Sequence, residues 1–128
     1  MGKEKTILKV LIVEPLKAPY VVEIDGSLES MQGIVGGLIQ VIYPFDDPVA
    51  LVCNDEGKLM GLPLNRPLVD SSGSIYDIIA GTFAVIGLDD EDGFRSLTDD
   101  ELEKFSKLYA VPEMFIGVDG HIVAVPLA

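Results

Sequence analysis

Apolar runs alternate along the chain with short polar segments rich in proline, glycine and aspartate. Ile7–Val13 is an almost continuous apolar run, which is typical of a strand covered on both faces. Tyr20–Asp25 instead alternates between apolar and polar residues, so it predicts a half-buried strand, antiparallel to the first. Further strands are predicted at Leu38–Tyr43, Val49–Asn54 and Thr82–Gly87.

Between these strands the pattern is less regular. The composition of Asn54-Asp55-Glu56-Gly57 predicts a hairpin turn, after which Lys58–Gly61 returns as a short strand. Pro63–Pro67 is predicted to be an irregular loop, because proline at both ends restricts the backbone. Ile75–Ala80 is ambiguous, and one helical turn is the interpretation that we adopt for it.

Two helices are predicted, at about residues 27–36 and 98–110. Ser27 can cap the first helix, and Gly36-Gly37 ends it because glycine adopts the left-handed conformation without steric cost. The second begins at Thr98, which forms a capping box with Glu101, and it ends before Pro112. Apolar residues recur on one face of each helix.

A hairpin is predicted at the end of the chain. Phe115–Val118 and His121–Val125 flank Asp119-Gly120, a strong two-residue turn signal. Residues 113–128 would then pair with an edge of the sheet or with another protomer. Altogether the sequence predicts an α+β fold in a single domain spanning 1–128, with a mostly antiparallel sheet of about five to seven short strands and two main helices.

Composition is consistent with a folded domain and indicates the cellular compartment. Of 128 residues, 48% are hydrophobic, which provides a core without disulfides or metal. Cys53 is the single cysteine, so no intramolecular disulfide can form. No apolar stretch approaches the roughly 18 residues that a membrane span needs. We therefore expect a cytoplasmic protein without a membrane partner.

Negative charge is concentrated in one segment. The net charge is −12, and Asp89–Glu103 contains eight acidic residues against Arg95 as its single base. Such a surface repels phosphates, so we expect no direct binding to nucleic acid. The segment either keeps the protein soluble or offers an acidic face to a basic protein partner. The candidate residues for that face are Asp89, Asp90, Glu91, Asp92, Asp99 and Asp100.

No catalytic motif is present. The glycines form neither a phosphate loop nor a dinucleotide-binding fingerprint. His121 is the only histidine, and Cys53 lies in a core-like strand, so a Cys–His pair is not expected. An EF-hand alignment of the acidic loop places Leu88 at the first ligand position, which leucine cannot fill. We predict no enzyme activity, no metal and no cofactor.

One polar cluster suggests binding of a small ligand. Asn54 and Asn65-Arg66 lie on turns that flank one predicted strand pair. An arginine held in a stiff loop can bind a carboxylate or phosphate through two hydrogen bonds. The alternative interpretation is that these side chains satisfy backbone groups of the loop.

Seven segments carry a family resemblance. They are Leu11–Pro15, Ser27–Gln32, Val35–Gly37, Val41–Pro44, Asn54–Lys58, Gly61–Arg66 and Ile78–Phe83. In this order they resemble family 3846 of the domains of unknown function, over roughly residues 7–110. The resemblance implies an origin in Gram-positive bacteria, their phages or mobile elements, and it implies no particular activity.

Three functional hypotheses follow. The first is a non-catalytic binding protein of phage or mobile-element type that counters a host defence through its acidic surface. Its analogy with DNA-mimicking antirestriction proteins is one of context and charge, not of fold. The second is a protein that binds or sequesters a nucleotide-like anion at Asn65 and Arg66. The third is a structural or regulatory module whose C-terminal hairpin forms a homo-oligomer contact.

Overall fold

The computed structural model describes residues 7–91 and 93–127. Its strands are β1 (Leu8–Val13), β2 (Tyr20–Ile24), β3 (Ile39–Ile42), β4 (Val49–Asn54), β5 (Leu64–Val69), β6 (Ile75–Ala80), β7 (Phe83–Leu88), β8 (Phe94–Arg95), β9 (Glu113–Val118) and β10 (His121–Pro126). Its helices are α1 (Leu28–Val35) and α2 (Asp99–Leu108). No helix in the described ranges is long and apolar enough to cross a membrane.

Six strands form the main sheet. Its order is β2-β1-β7-β4-β3, and β8 pairs with the end of β7. All of these pairs are antiparallel, including the predicted pair of β1 and β2. The α+β fold, with two helices and a mostly antiparallel sheet, is therefore confirmed.

The main sheet is covered on both faces, as the apolar strands require. β4 is buried along its whole length, and its side chains alternate between two hydrophobic clusters. Leu51 and Cys53 pack in the cluster that contains α2 residues, whereas Ala50 and Val52 pack in the one that contains α1 residues. This alternation explains why the central strands have few polar positions.

Helix α1 lies on one face and is bounded by the predicted signals. The Ser27 hydroxyl accepts a hydrogen bond from the Ser30 amide at 3.1 Å. At the other end Gly36 has φ 78°, and the amides of Gly36 and Gly37 both donate to the Gln32 carbonyl, at 2.8 and 3.2 Å. A left-handed glycine closes the helix without strain, as predicted.

Helix α2 lies on the opposite face. The Glu101 amide donates to Thr98 Oγ1 at 3.1 Å, and the Thr98 amide donates to Glu101 Oε1 at 2.9 Å. This is the predicted capping box. Phe105 is the fully buried residue of α2, and Tyr109 continues the same apolar stripe, with its ring edge-on to Phe83 at 5.2 Å between centroids.

The middle of the chain differs from the predictions. Lys58–Gly61 is part of a run of turns and not a strand, Pro63–Pro67 largely belongs to β5, and Ile75–Ala80 is β6 and not a helical turn. β5 and β6 pair into a two-stranded ribbon with two register shifts. Pro67 lies opposite Ile78 between these two shifts, and proline is tolerated there because both strands of a two-stranded ribbon are edge strands.

The C-terminal hairpin forms as predicted but stands apart from the main sheet. β9 and β10 pair across Asp119-Gly120, which have φ 49° and 79°, as a two-residue hairpin turn requires. In the described ranges the hairpin is a separate two-stranded sheet, and β9 lies near β5. Pairing with an edge of the main sheet is therefore wrong.

Candidate functional site

Asn54 lies at the end of β4, where the sheet meets the end of α1. Its side chain is buried, with 6% of its surface exposed. Its amide nitrogen donates to the Val35 carbonyl at 3.0 Å, and its amide oxygen accepts from the Glu56 amide at 2.8 Å. Asn54 therefore satisfies a carbonyl that the helix leaves free and also fixes the following turn.

Asn65 lies in β5 and is fully buried. Its amide nitrogen donates to the carbonyls of Val13 and Gly81, both at 2.9 Å. Its amide oxygen accepts from Arg66 Nη1 at 2.8 Å. Asn65 thus joins β5 to the end of β1 and to the residue that follows β6, and it orients the neighbouring guanidinium.

Arg66 is 1% exposed, which is unusual for a charged side chain. Its Nη2 donates to the carbonyls of Lys17 and Tyr109, at 2.7 and 2.9 Å. Burial lowers the pKa of Arg66, while electrostatic interactions with Glu113 and Tyr109 oppose this shift. Its Nε has no hydrogen-bond partner within the described residues.

Of the three predicted ligand residues, Asn65 and Arg66 lie together, whereas Asn54 forms its hydrogen bonds elsewhere, with Val35 and Glu56. Asn54 lines a pocket on the sheet side, whereas Asn65 and Arg66 line none of the pockets described below. Apart from the bond between Asn65 and Arg66, their hydrogen bonds go to backbone groups. These side chains therefore hold together elements of the fold that are distant in the chain.

A pocket of about 390 Å³ lies between β4, the turn after it and β6. Its wall includes Tyr43, Cys53, Asn54, Tyr76 and Ile79. Three carboxylates also line it, those of Asp55, Glu56 and Asp77, together with one cation, Lys58, which pairs with Asp77. The sequence does not predict this pocket, because one of its walls is strand β6, a segment interpreted from its sequence as a helical turn.

Cys53 and His121 do not form a pair. Burial, and then the charges of Asp77 and Asp55, raise the pKa of Cys53 to about 11, so its thiol stays protonated at neutral pH. Its sulfur donates to the Gln40 carbonyl at 3.6 Å. His121 is exposed at the start of β10 and lines a different pocket. In the described part of the chain, no cluster of metal-binding side chains is found.

Two of the predicted acidic residues, Asp89 and Asp90, act on Arg95, which also pairs with Glu101. Arg95 binds both carboxylate oxygens of Glu101, at 2.8 and 3.0 Å. This hydrogen bonding raises the pKa of Arg95, and the charges of Asp89 and Asp90 add to the shift. The loop after β7 and the start of α2 therefore lie on either side of one guanidinium.

Most acidic residues on this surface face solvent. Asp89, Asp90, Glu91, Asp99 and Asp100 are exposed, and Asp92 lies outside the described residues. Asp89 accepts from the amides of Glu91 and Gly93, at 2.9 and 2.7 Å, so it stabilises the loop. Within the described ranges, the other four carboxylates form no hydrogen bond or ion pair.

No curated protein and no solved structure shows a significant match to this chain. The sequence profile of a family described as "Domain of unknown function (DUF3846)" matches residues 8–110. The match includes Asn54, Asn65, Arg66 and the acidic residues, and it ends before the β9–β10 hairpin. Because the match spans most of the chain, the protein belongs to the DUF3846 family.

Proposed function

We propose that the protein is a non-catalytic binding protein that offers an acidic face to a basic protein partner. The acidic face consists of Asp90, Glu91, Asp99 and Asp100. The observation that supports this proposal is the arrangement around Arg95. That guanidinium donates to Glu101 and to three backbone carbonyls, and in the described ranges it forms no hydrogen bond or ion pair with the four exposed carboxylates, although its charge acts on Asp90.

Electrostatics gives the acidic face its proposed role. Like charges on two adjacent segments repel one another, and a basic partner would relieve this repulsion when it binds. Asp99 and Asp100 also lie in the first turn of α2, where the helix dipole favours them, so part of their charge has a structural explanation. Asp90 and Glu91 lie in the loop, outside any helix.

The partner in this proposal is a basic surface, such as one with which a host protein binds nucleic acid. Occupying that surface would counter a host defence, in keeping with the phage or mobile-element context that the family resemblance implies. Charge complementarity would mainly increase the association rate and would make binding depend strongly on salt.

Binding of a nucleotide-like anion is the weaker proposal. The unpartnered Nε of Arg66 favours it, since a guanidinium binds anions through such donors. Arg66 is nevertheless buried, and the pocket of about 390 Å³ carries three carboxylates against Lys58. Those charges favour a neutral or cationic ligand over a phosphate.

The test compares two double charge reversals of equal net charge. Asp90→Lys with Asp99→Lys changes the acidic face, whereas Glu23→Lys with Glu29→Lys changes exposed positions in β2 and α1. Asp89 is left intact because it stabilises its loop. Each tagged protein is used to capture proteins from a bacterial lysate, and the captured protein is then purified for binding measurements at several salt concentrations.

We expect the captured partner to bind the wild type and the control variant with equal affinity and not to bind the acidic-face variant. Its affinity for the wild type should fall steeply as salt rises. Equal binding of both variants, or an affinity that does not change with salt, would contradict the proposal.

A further inference from the structure

Strand β10 presents a free edge. It pairs with β9 from His121 to Pro126, and no other strand in the described ranges pairs with it. Its outer backbone donors and acceptors are therefore available to a further strand. Only Pro126, at the very end of β10, lacks a donor.

The hairpin is also apolar and open to solvent. By the register, Ile116 lies opposite Val123, so that these side chains and those of Met114 and Val118 share one face. Each of the four is between 43% and 47% exposed, and Ile122 on the other face is 54% exposed. A two-stranded hairpin with so little buried surface is marginally stable by itself in water.

Charge distinguishes the hairpin from the rest of the chain. The net charge is −12, yet residues 114–118 and 122–127 contain no charged residue. Free edges of soluble proteins usually carry lysine or other charges that prevent pairing, and β10 has none between Ile122 and Pro126. Along residues 122–126 a basic partner would gain no electrostatic attraction, and a second copy would bring no like charges into contact.

Space for a second strand exists beside β10. A groove of about 1030 Å³ lies between the hairpin and the β5–β6 ribbon, and residues 120–124 form part of its wall. The opposite wall includes Leu64, Pro67 and Val69 of β5. The groove therefore leaves open space between these β10 residues and the ribbon.

We propose that the occupant is a second copy of this chain, whose β10 pairs with this β10 in antiparallel fashion about a twofold axis. The two hairpins would then form one four-stranded sheet. With Ala124 of both copies at the axis, Val123 lies opposite Val125 of the second copy and Ile122 lies opposite its Pro126, so every pair between residues 122 and 126 is apolar. This inference is independent of the acidic face.

The first test measures mass in solution over a wide range of protein concentration, by light scattering and native mass spectrometry. The wild type is expected to reach twice the chain mass. Val123→Lys places two like charges on either side of the axis, each opposite an apolar residue, and should weaken dimerisation about a hundredfold. Val21→Lys is the matched control, because Val21 is a similarly exposed valine on β2, an edge strand of the main sheet.

Three outcomes would overturn the proposal. They are a wild type that stays monomeric, a dimer that survives Val123→Lys, and a dimer that Val21→Lys weakens as much. If Val123→Lys fails to fold by circular dichroism, Ala124→Cys provides a second reading. It should form a covalent dimer on oxidation, whereas Val21→Cys should not, and buried Cys53 does not compete. Failure of Ala124→Cys to cross-link would equally refute the pairing.

Discussion

Replacing Arg66 by methionine tests whether this buried guanidinium holds the fold together. Methionine has a similar length and no charge, so Arg66→Met removes three hydrogen bonds without opening a large cavity. The acceptors that lose them are Asn65 Oδ1 and the carbonyls of Lys17 and Tyr109. The change also removes a charge whose burial is itself unfavourable.

The magnitude follows from these opposing terms. The acceptors on Asn65 and Tyr109 are buried and would each cost about 1–3 kcal/mol when left unsatisfied. The Lys17 carbonyl is only partly buried, so water can replace its donor at little cost. Relief from burying the guanidinium offsets part of the loss. We therefore expect the free energy of unfolding to fall by about 2–4 kcal/mol.

Urea unfolding followed by circular dichroism measures this loss. At an unchanged slope, the midpoint should fall by about 1–2 M. Arg66→Lys is the companion variant: it keeps the charge but loses the planar fork, so it should recover only part of the stability. A ligand-binding arginine would behave differently, because replacing a functional group commonly leaves stability unchanged or raises it. An unchanged or higher midpoint for Arg66→Met would refute the reasoning.

Three further predictions concern other parts of the fold. The hydrogen-bonded ion pair with Arg95 lowers the pKa of Glu101 below its ordinary 4.5, so its contribution to stability, about 1–2 kcal/mol, is present above pH 4.5 and vanishes as pH falls through the lowered folded-state value. Unfolding measured from pH 7 to pH 2 should therefore show Glu101→Gln as less stable than the wild type at pH 7 and as stable at pH 2. Cys53 should react with a thiol reagent at pH 8 only as fast as the chain unfolds, and rapid colour development in the native protein would contradict its burial. A Cβ at Gly57 would lie 2.6 Å from the Ala80 carbonyl oxygen, so Gly57→Ala should cost about 1–3 kcal/mol, whereas Gly33→Ala, which meets open space in α1, should leave the melting temperature equal or higher.

Local signals in the sequence account for much of the fold. The predicted β4 has the bounds of the observed strand, and the Thr98 capping box fixes the start of α2, because each depends on neighbouring residues alone. β5 has no such signal, since Pro67, together with Pro63 just before the strand and two polar residues, disguises it. Its pairing with β6 depends on tertiary burial, which a periodicity does not reveal.

The candidate site shows the same limit. Asn65 and Arg66 stand out in the sequence as polar residues in a stiff segment. Besides their bond to each other and the bond from Asn65 to Gly81, their hydrogen bonds go to residues 43 to 52 positions away in the chain. No local pattern indicates that a guanidinium will meet the carbonyls of Lys17 and Tyr109. The acidic residues were easier to locate, because their charge is a property of composition.

The position of β7 has a consequence for how the chain folds during synthesis. β1 with β2, and β3 with β4, are local pairs that can form early, but β7 lies between β1 and β4 and is made later. Until β7 leaves the ribosome, the inner edges of β1 and β4 stay open and apolar. Such late, non-local strand pairing slows folding and leaves unpaired strand edges that are prone to aggregation. We therefore expect nascent chains that end before Phe83 to depend on chaperones.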